Sequence, residues 1–215
     1  MNLNAANSHL THNKYAIALH TSTPQLGIAI NNYAGDSRSQ TWDLGRDLAS
    51  QLHQHLAAML LPQTWQDLAF LAVAKGPGGF TGTRVGVVTA RTIAQQLNIP
   101  LFGISNLAAI ATAQNYQGEN LLAVQMDARR EQLFVGIYQV TDLGLKTYMQ
   151  DTLMTLKVWQ KTLADLPAYQ LITADDQIAA SVTSVLDLAY ADWQQGEHPH
   201  WSEIIPYYGQ HPVKG

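Results

Sequence analysis

The sequence predicts an α/β fold made of two units of similar design, and three observations support this prediction. Apolar strands alternate with helical patterns along most of the chain. The strands at 67–76 and 100–105 are continuous apolar runs, which are typical of strands covered on both faces. A strand–turn–strand pattern near the start of the chain returns in its second half, and such repetition indicates how a fold is organised.

The first half contains five predicted strands and three predicted helices. The first two strands flank a turn around Pro24 and predict a hairpin. Leucines at helical spacing predict the first helix, which Pro62 ends. In chain order the strands lie at 15–22, 26–30, 37–44, 67–76 and 100–105, and the helices at 47–61, 81–97 and 106–114.

The second half repeats the opening hairpin. The segment AIALHTSTPQLGIAI (16–30) aligns with AVQMDARREQLFVGI (123–137), which places His20 opposite Asp127. A duplicated unit led by a hairpin is how the ribonuclease-H-like fold of the actin/hexokinase type (ASKHA) is organised, although any two short hairpins also look alike. The other predicted elements of this half are strands at 145–151 and 168–173 and helices near 156–166 and 177–193.

This organisation divides the chain into three parts. Residues 1–14 are polar, lack the apolar core of a secretory signal, and are expected to form a flexible leader. Residues 15–115 are predicted to form the N-terminal ribonuclease-H-like lobe, and residues 116–215 a smaller C-terminal lobe. No apolar run reaches the roughly 18 residues that a membrane span needs, so we expect a cytoplasmic protein without membrane contact.

Composition excludes several classes of site. The chain has no cysteine, which excludes disulfides and thiolate metal sites. Its net charge of −4 argues against a nucleic-acid footprint over the whole surface. Neither His53 with His55 nor His198 with His200 has a third ligand close in sequence, so no metal site is predicted.

A glycine-rich loop follows the first buried strand and opens a helix. The amino end of a helix attracts anions, so Gly78, Gly79 and Thr81 are candidate nucleotide or phosphate contacts. The P-loop pattern requires lysine after its last glycine, but Thr83 follows Gly82 here. Arg84 is expected to meet a phosphate or a partner's carboxylate, or else to be solvated.

The helix after the loop carries a small residue at every fourth position. Such a stripe allows a second helix to approach closely, or it lies on the sheet of its own domain. Because the flank with Val85, Val88 and Ile93 is also apolar, we expect two partners, the sheet and another chain. A bulky residue at Gly86 is then expected to abolish association. The candidate interface residues are Gly82, Arg84, Val85, Gly86, Thr89, Ala90, Ile93 and Ala94.

Three segments resemble the TsaB family, also called YeaZ. GPGGFTGTRVGVVTARTIAQQLNIPLFGIS (76–105) is similar to its signature G-P-G-[SG]-F-T-G-x-R-[IV]-G, followed by an alanine-rich helix and P-x-x-G-[IV]-S. PYYGQHPVK (206–214) resembles its carboxy-terminal P-x-Y motif. Its segment D-A-R-x-x-E-[VL]-[YF] is matched here by Asp127, Ala128, Arg129, Glu131 and Phe134.

The resemblance implies the two-lobed ASKHA fold with a reduced second lobe and a role in making threonylcarbamoyladenosine in tRNA. In that system TsaD transfers the threonylcarbamoyl group, a TsaB-like protein is a non-catalytic dimerisation platform, and the ATPase TsaE completes the assembly. The helices at 47–61 and 81–97 are implied to pack on TsaD. No catalytic residue, metal or cofactor is implied for this chain alone. ATP or ADP and Mg²⁺ are expected only in the full complex, tRNA only as an indirect partner, and a homodimer when TsaD is absent.

Two departures from the family pattern bear on the alternative, an autonomous small ATPase or kinase. His20 stands where the family has an acid, and a neutral imidazole is a poor Mg²⁺ ligand. Leu48-Ala49-Ser50 replaces His-Ser-Glu at the start of the first long helix. Both departures favour a non-catalytic scaffold over an autonomous enzyme. Asp127 is either a phosphate contact or the cap of its own turn beside Arg129, and the second interpretation is preferred.

Overall fold

A computed structural model describes residues 10–116, 118, 120–141 and 144–209, and its first sheet has five strands in the order β3-β2-β1-β4-β5. β1 pairs antiparallel with β2 and parallel with β4, and β2 pairs antiparallel with β3. The strands are β1 (Tyr15–His20), β2 (Gln25–Asn31), β3 (Ser37–Asp43), β4 (Leu68–Ala74) and β5 (Leu101–Ile104).

The second sheet has four strands in the order β8-β7-β6-β9. β6 pairs antiparallel with β7 and parallel with β9, and β7 pairs antiparallel with β8. Within the described residues, the pairing of the first sheet is thus repeated without a counterpart of β5. The strands are β6 (Leu121–Asp127), β7 (Gln132–Thr141), β8 (Gly144–Thr155) and β9 (Tyr169–Thr173).

Helices cover both sheets. α1 and α2 bury leucines and small residues on one face of the first sheet, and α5 packs on its other face. α3 lies between the sheets, because it contacts α5 as well as β6 and β7, and α4 covers the far face of the second sheet. The helices are α1 (Leu48–Leu60), α2 (Phe80–Leu97), α3 (Asn106–Ala113), α4 (Leu156–Ala164) and α5 (Val182–Gln194).

The duplicated hairpin that predicted the fold is therefore present, and the ribonuclease-H-like fold is confirmed. Most predicted elements are found within about three residues of their expected ends; β8 is longer than predicted, and a 3₁₀ turn, Ile178–Ser181, precedes α5. α5 returns to the first sheet although it lies within the predicted 116–215 lobe, because its side chains Val182, Val185 and Ala189 pack on the alanine-rich face of β1 and β4. Of the predicted leader, residues 1–9 lie outside the described residues.

Candidate functional site

The glycine loop is held by contacts within the chain. The backbone N–H of Gly79 donates to the carbonyl of Ser22 at 2.7 Å. A Cβ at Gly78 would lie 2.7 Å from Cβ of Ser22, so glycine is required there by the close approach of the turn that follows β1. Asn106, the first residue of α3, is fully buried; its Nδ2 donates to the Pro77 carbonyl at 2.7 Å and its Oδ1 accepts from the Gly76 N–H at 3.3 Å.

The amino end of α2 has no side-chain cap. Gly79 is the N-cap and has no side chain with which to cap. The Thr83 hydroxyl donates instead to the Gly79 carbonyl at 2.9 Å, as helical threonines commonly do, while Thr81 is exposed. Gly78, Gly79 and Thr81 lie together, but their geometry follows from the contacts with Ser22.

The small-residue stripe of α2 faces the chain's own sheet, which corrects the interface prediction for four residues. Ala90 and Ala94 are 0% exposed and belong to the core formed with α1, β1 and β4. A Cβ at Gly86 would lie 2.1 Å from Oγ1 of Thr21, so this glycine lets the helix approach β1. Thr89 is also buried. A partner therefore cannot touch Gly86, Thr89, Ala90 or Ala94 without displacing the sheet.

Gly82 also packs inward, because a Cβ there would lie 2.0 Å from the Thr21 carbonyl oxygen. The remaining predicted interface residues lie on the outer side: Arg84 is exposed, and Val85 and Ile93 are half-buried. Val88, predicted on the apolar flank but not among the interface residues, is 59% exposed at the centre of this side. α1 contributes a neighbouring exposed side that carries no charged residue. We call the two together the α1/α2 surface; it is formed by Ala49, Ser50, His53, Gln54, Ala57, Ala58, Thr81, Arg84, Val85, Val88, Thr92 and Gln95.

His20 is the residue that replaces the family acid, and it is sealed inside the chain. Since side chains alternate along a strand, it points to the same face as Ala16 and Ala18, which α5 covers. It is 0% exposed, and neither ring nitrogen has a hydrogen-bond partner. Burial lowers the pKa of His20 from 6.5 to about 3, so the ring is neutral.

This environment does not fit a magnesium-bound nucleotide. The strand end next to His20 is covered by the 3₁₀ turn Ile178–Ser181, because a Cβ at Gly27, the register partner of His20, would lie 2.4 Å from the Ala179 carbonyl oxygen. A buried neutral imidazole supplies no anionic oxygen for Mg²⁺.

Asp127 ends β6 and caps its own turn, as the preferred interpretation predicted. Its Oδ1 accepts from the Arg129 N–H at 2.9 Å, and the carboxylate is exposed. The turn carries three successive non-glycine residues with positive φ: Arg129 at 64°, Arg130 at 52° and Glu131 at 58°. A carboxylate that accepts a hydrogen bond from the first N–H of such a turn stabilises a backbone conformation that non-glycine residues rarely adopt.

A polar cluster joins the two sheets, and the sequence analysis missed it. The Asp151 carboxylate accepts hydrogen bonds from Ser105 Oγ and Tyr138 Oη. Burial raises the pKa of Asp151, while these hydrogen bonds and the nearby charge of Lys75 lower it. Burial also raises the pKa of Tyr138 well above its usual range. Lys75 and Ser105 follow the carboxyl ends of β4 and β5, where ligands of α/β folds bind, and that position was the available signal.

The predicted carboxy-terminal motif crosses the glycine loop next to this cluster. The Tyr207 N–H donates to the Lys75 carbonyl at 2.7 Å, and its hydroxyl donates to the Asp151 backbone carbonyl at 3.0 Å. The ring of Tyr208 lies 4.6 Å from that of Phe80, at the first residue of α2. Residues 210–215, with the rest of the motif, lie outside the described residues. The segment around Tyr207 thus ties both sheets to the start of α2.

Among the described residues, no three histidine, aspartate or glutamate side chains converge as metal ligands would. No helix in the same part of the chain is both long and apolar enough to span a bilayer.

Curated relatives and a solved structure resemble this chain. The TsaB protein of Bacillus subtilis, named for tRNA threonylcarbamoyladenosine biosynthesis, is 38% identical over 100 residues, which are 46% of this chain and 43% of that protein. The Escherichia coli TsaB is 32% identical over 80 residues, 37% of this chain and 35% of its own length. The chain thus spans less than half the length of either relative.

YeaZ from Pseudomonas aeruginosa has the same fold. Its solved structure matches 91% of this chain and 100% of its own with a TM-score of 0.75 and 21% identity. The model of the family described as TsaD, tRNA N6-adenosine threonylcarbamoyltransferase, matches residues 47–192, more than half of the chain. The chain therefore belongs to that family, and the predicted kinship with its TsaB (YeaZ) members is confirmed.

Proposed function

We propose that this chain is a non-catalytic subunit of the complex that makes threonylcarbamoyladenosine in tRNA, and that it is a dimerisation platform for the catalytic subunit TsaD. The observation that carries the proposal is the α1/α2 surface, which is broad, exposed and nearly free of charge. Charged residues are depleted at the centres of protein interfaces, and helix surfaces that face only water usually carry many of them.

The apolar content of this surface supports a protein partner. Val88 is 59% exposed in the middle of α2, and Leu61, just beyond α1, is 65% exposed. Alanines at Ala49, Ala57 and Ala58 leave the backbone of α1 open to close approach. Because α1 and α2 lie side by side on one sheet face, a pair of helices from TsaD can pack against both.

The strand ends of the first sheet support a role without catalysis. Here Ser22, Asn106 and Tyr207 bind the glycine loop, and the 3₁₀ turn before α5 covers the neighbourhood of His20. An autonomous ATPase or kinase of this fold would hold its nucleotide at these strand ends. In this chain the same positions are filled by its own residues. ATP or ADP with Mg²⁺ is therefore proposed to bind only in the full complex.

The remaining parts of the assembly follow from the same proposal. TsaE joins the complex as its ATPase, and tRNA is contacted mainly by TsaD, in keeping with the net charge of −4 on this chain. In the absence of TsaD, the α1/α2 surface pairs weakly with a second copy. The complex works in the cytoplasm.

A substitution at Val88 tests the proposed surface. A charge buried at the centre of an interface is unfavourable, so Val88→Asp should weaken binding to TsaD at least roughly tenfold, as measured by calorimetry and by sizing chromatography. Val158→Asp is the matched control, because Val158 is 51% exposed on α4, away from this surface, and should bind normally.

Three outcomes would contradict the proposal. One is the absence of any complex between the unmodified chain and TsaD at micromolar concentration. Another is equal binding by Val88→Asp and the unmodified chain, which would exclude the α1/α2 surface. The third is hydrolysis of ATP by the isolated chain, which would support the autonomous enzyme instead.

A further inference from the structure

The outer side of α2 carries charge of one sign. Arg84 and Arg91 are its charged residues, and α1 has none between Leu48 and Leu60. Arg84, Val88 and Arg91 follow one another at spacings of four and three, so they share one face of the helix. The arginines lie two turns apart, about 10.5 Å along the axis. We call these three residues the Arg–Val–Arg row.

Both arginines lie on aromatic rings rather than beside carboxylates. The guanidinium carbon of Arg84 lies 5.2 Å from the centre of the Phe80 ring, and that of Arg91 lies 5.8 Å from the Trp201 ring. Across the described ranges, the ion pair found is Arg38 with Asp36, and neither arginine of α2 takes part in one. A guanidinium held on a ring keeps its edge free to bind a carboxylate with two parallel hydrogen bonds.

We propose that the Arg–Val–Arg row binds a helix of the partner subunit that carries two carboxylates about two turns apart, with an apolar side chain between them. This inference rests on the proposed function and adds the chemistry of the surface that TsaD presents. Opposite charges facing the row speed association and fix the register of the two helices, while Val88 supplies the buried centre.

A second copy of this chain fits the row poorly. If two copies met through their Arg–Val–Arg rows, they would bring four arginines together without acidic partners, and like charges in an interface are unfavourable. A nucleic acid also fits poorly, because two arginines around an exposed valine do not form the wider basic patch that phosphates require. The row therefore favours a different protein over a homodimer.

Charge reversal tests the inference. The double variant Arg84→Glu/Arg91→Glu and the matched control Lys157→Glu/Lys161→Glu, which reverses two exposed charges on α4, change the net charge equally. At low salt the α2 variant should bind TsaD at least about 30-fold more weakly than the unmodified chain, and the α4 variant should bind within twofold of it. Arg84→Lys/Arg91→Lys should keep part of the affinity.

Salt concentration gives the second measurement. Binding of the unmodified chain to TsaD should weaken between 50 and 500 mM NaCl, because ions screen the charge pairs, and binding of the α2 variant should change less. Equal affinity of the α2 and α4 variants would overturn the inference while leaving the proposed function intact. Failure of the unmodified chain to bind at any salt would instead reject the proposed function. Loss of self-association, or of binding to a tRNA transcript, in the α2 variant with unchanged TsaD binding would also overturn the inference.

Discussion

The two halves of the molecule repeat one pairing pattern but use it differently. In each, a hairpin and a third antiparallel strand lie beside a parallel strand. The first sheet continues into the glycine loop and α2, which follow its parallel strand directly. After β9, by contrast, the chain leaves the second sheet and returns to the first as α5. The last helix of the second half thus completes the cover of the first sheet, which has α1 and α2 on one face and α5 on the other.

The ends of the two equivalent strands show the same contrast. His20 ends β1 and is fully buried without a hydrogen-bond partner, whereas Asp127 ends β6, is exposed and caps its turn. The burial and hydrogen bonding of equivalent residues in a repeat thus depend on the elements that cover them. Position in the repeat alone does not indicate a shared chemical role for the two residues.

The outer helices differ in charge. α4, which covers the second sheet, exposes Lys157 and Lys161, as a helix facing water commonly does, whereas α1 exposes only uncharged residues. Among the helices compared, the charge-poor surface lies on the half whose strand ends are closed. The α1/α2 surface, on which the proposed function depends, thus differs in charge from the outer helix of the second half.

The largest expected effect on stability is at the small-residue stripe of α2. In Gly86→Leu, the new Cβ would lie 2.1 Å from Oγ1 of Thr21. Thr21 cannot move away without losing the 2.8 Å hydrogen bond that its hydroxyl donates to the Gly82 carbonyl. We expect a loss of about 3 kcal/mol or more in the free energy of unfolding. Urea denaturation followed by circular dichroism measures it.

Val88→Leu controls for adding bulk to α2, because it lies on the outer side and should change stability by no more than about 0.5 kcal/mol. The stripe alone predicts instead that a bulky residue at Gly86 abolishes association while the monomer stays folded. A Gly86→Leu protein that unfolds normally and fails only to bind TsaD would restore that expectation and refute the packing seen here.

An intermediate effect is expected at His20, and it depends on pH. Below pH 6.5 the imidazole of the unfolded chain gains a proton, whereas burial lowers the pKa of the folded-state ring to about 3. The unfolded state then binds more protons, so stability falls as the pH falls from 6.5 towards 3. The slope is about 1.4 kcal/mol per pH unit, or about 2 kcal/mol at pH 5.

His20→Leu removes this contribution. The variant should lose less stability than the unmodified chain between pH 7.5 and pH 5, and at pH 7.5 it should be at least as stable, because two unpaired buried nitrogens are gone. His53→Gln, on the exposed side of α1, controls for the loss of one histidine. Parallel stability–pH curves for His20→Leu and the unmodified chain would mean that the ring is not buried as described.

Most of the fold could be predicted because local patterns determined it. The continuous apolar run of β4, the leucine spacing of α1 and the repeated hairpin each predicted an element within a few residues of its observed ends. The return of α5 could not be predicted in this way. Its apolar side fits either sheet, and only the three-dimensional path of the chain decides which one it covers.

The candidate site was predicted less well, for two physical reasons. A stripe of small residues reports a close approach but not its partner, so Gly86 and Ala90 were assigned to another helix although β1 and β4 cover them. The cluster of Ser105, Tyr138 and Asp151 joins residues that are distant in sequence and have no motif spacing. The sequence places Val88 on the apolar flank of α2 but does not show that it is exposed, since the adjacent Val87 is buried.

The smallest expected effect is at the turn of the second hairpin, and it tests whether the two strand ends really differ. Asp127→Ala removes the acceptor for the Arg129 N–H at an exposed site, which should lower the free energy of unfolding by about 0.5–1 kcal/mol without changing TsaD binding. Asp127→Asn keeps an acceptor oxygen and should recover most of this loss in the same urea titration. If Asp127→Ala left stability unchanged but abolished TsaD binding, the second strand end would have a role beyond its turn. The contrast between a sealed His20 and a merely structural Asp127 would then fail.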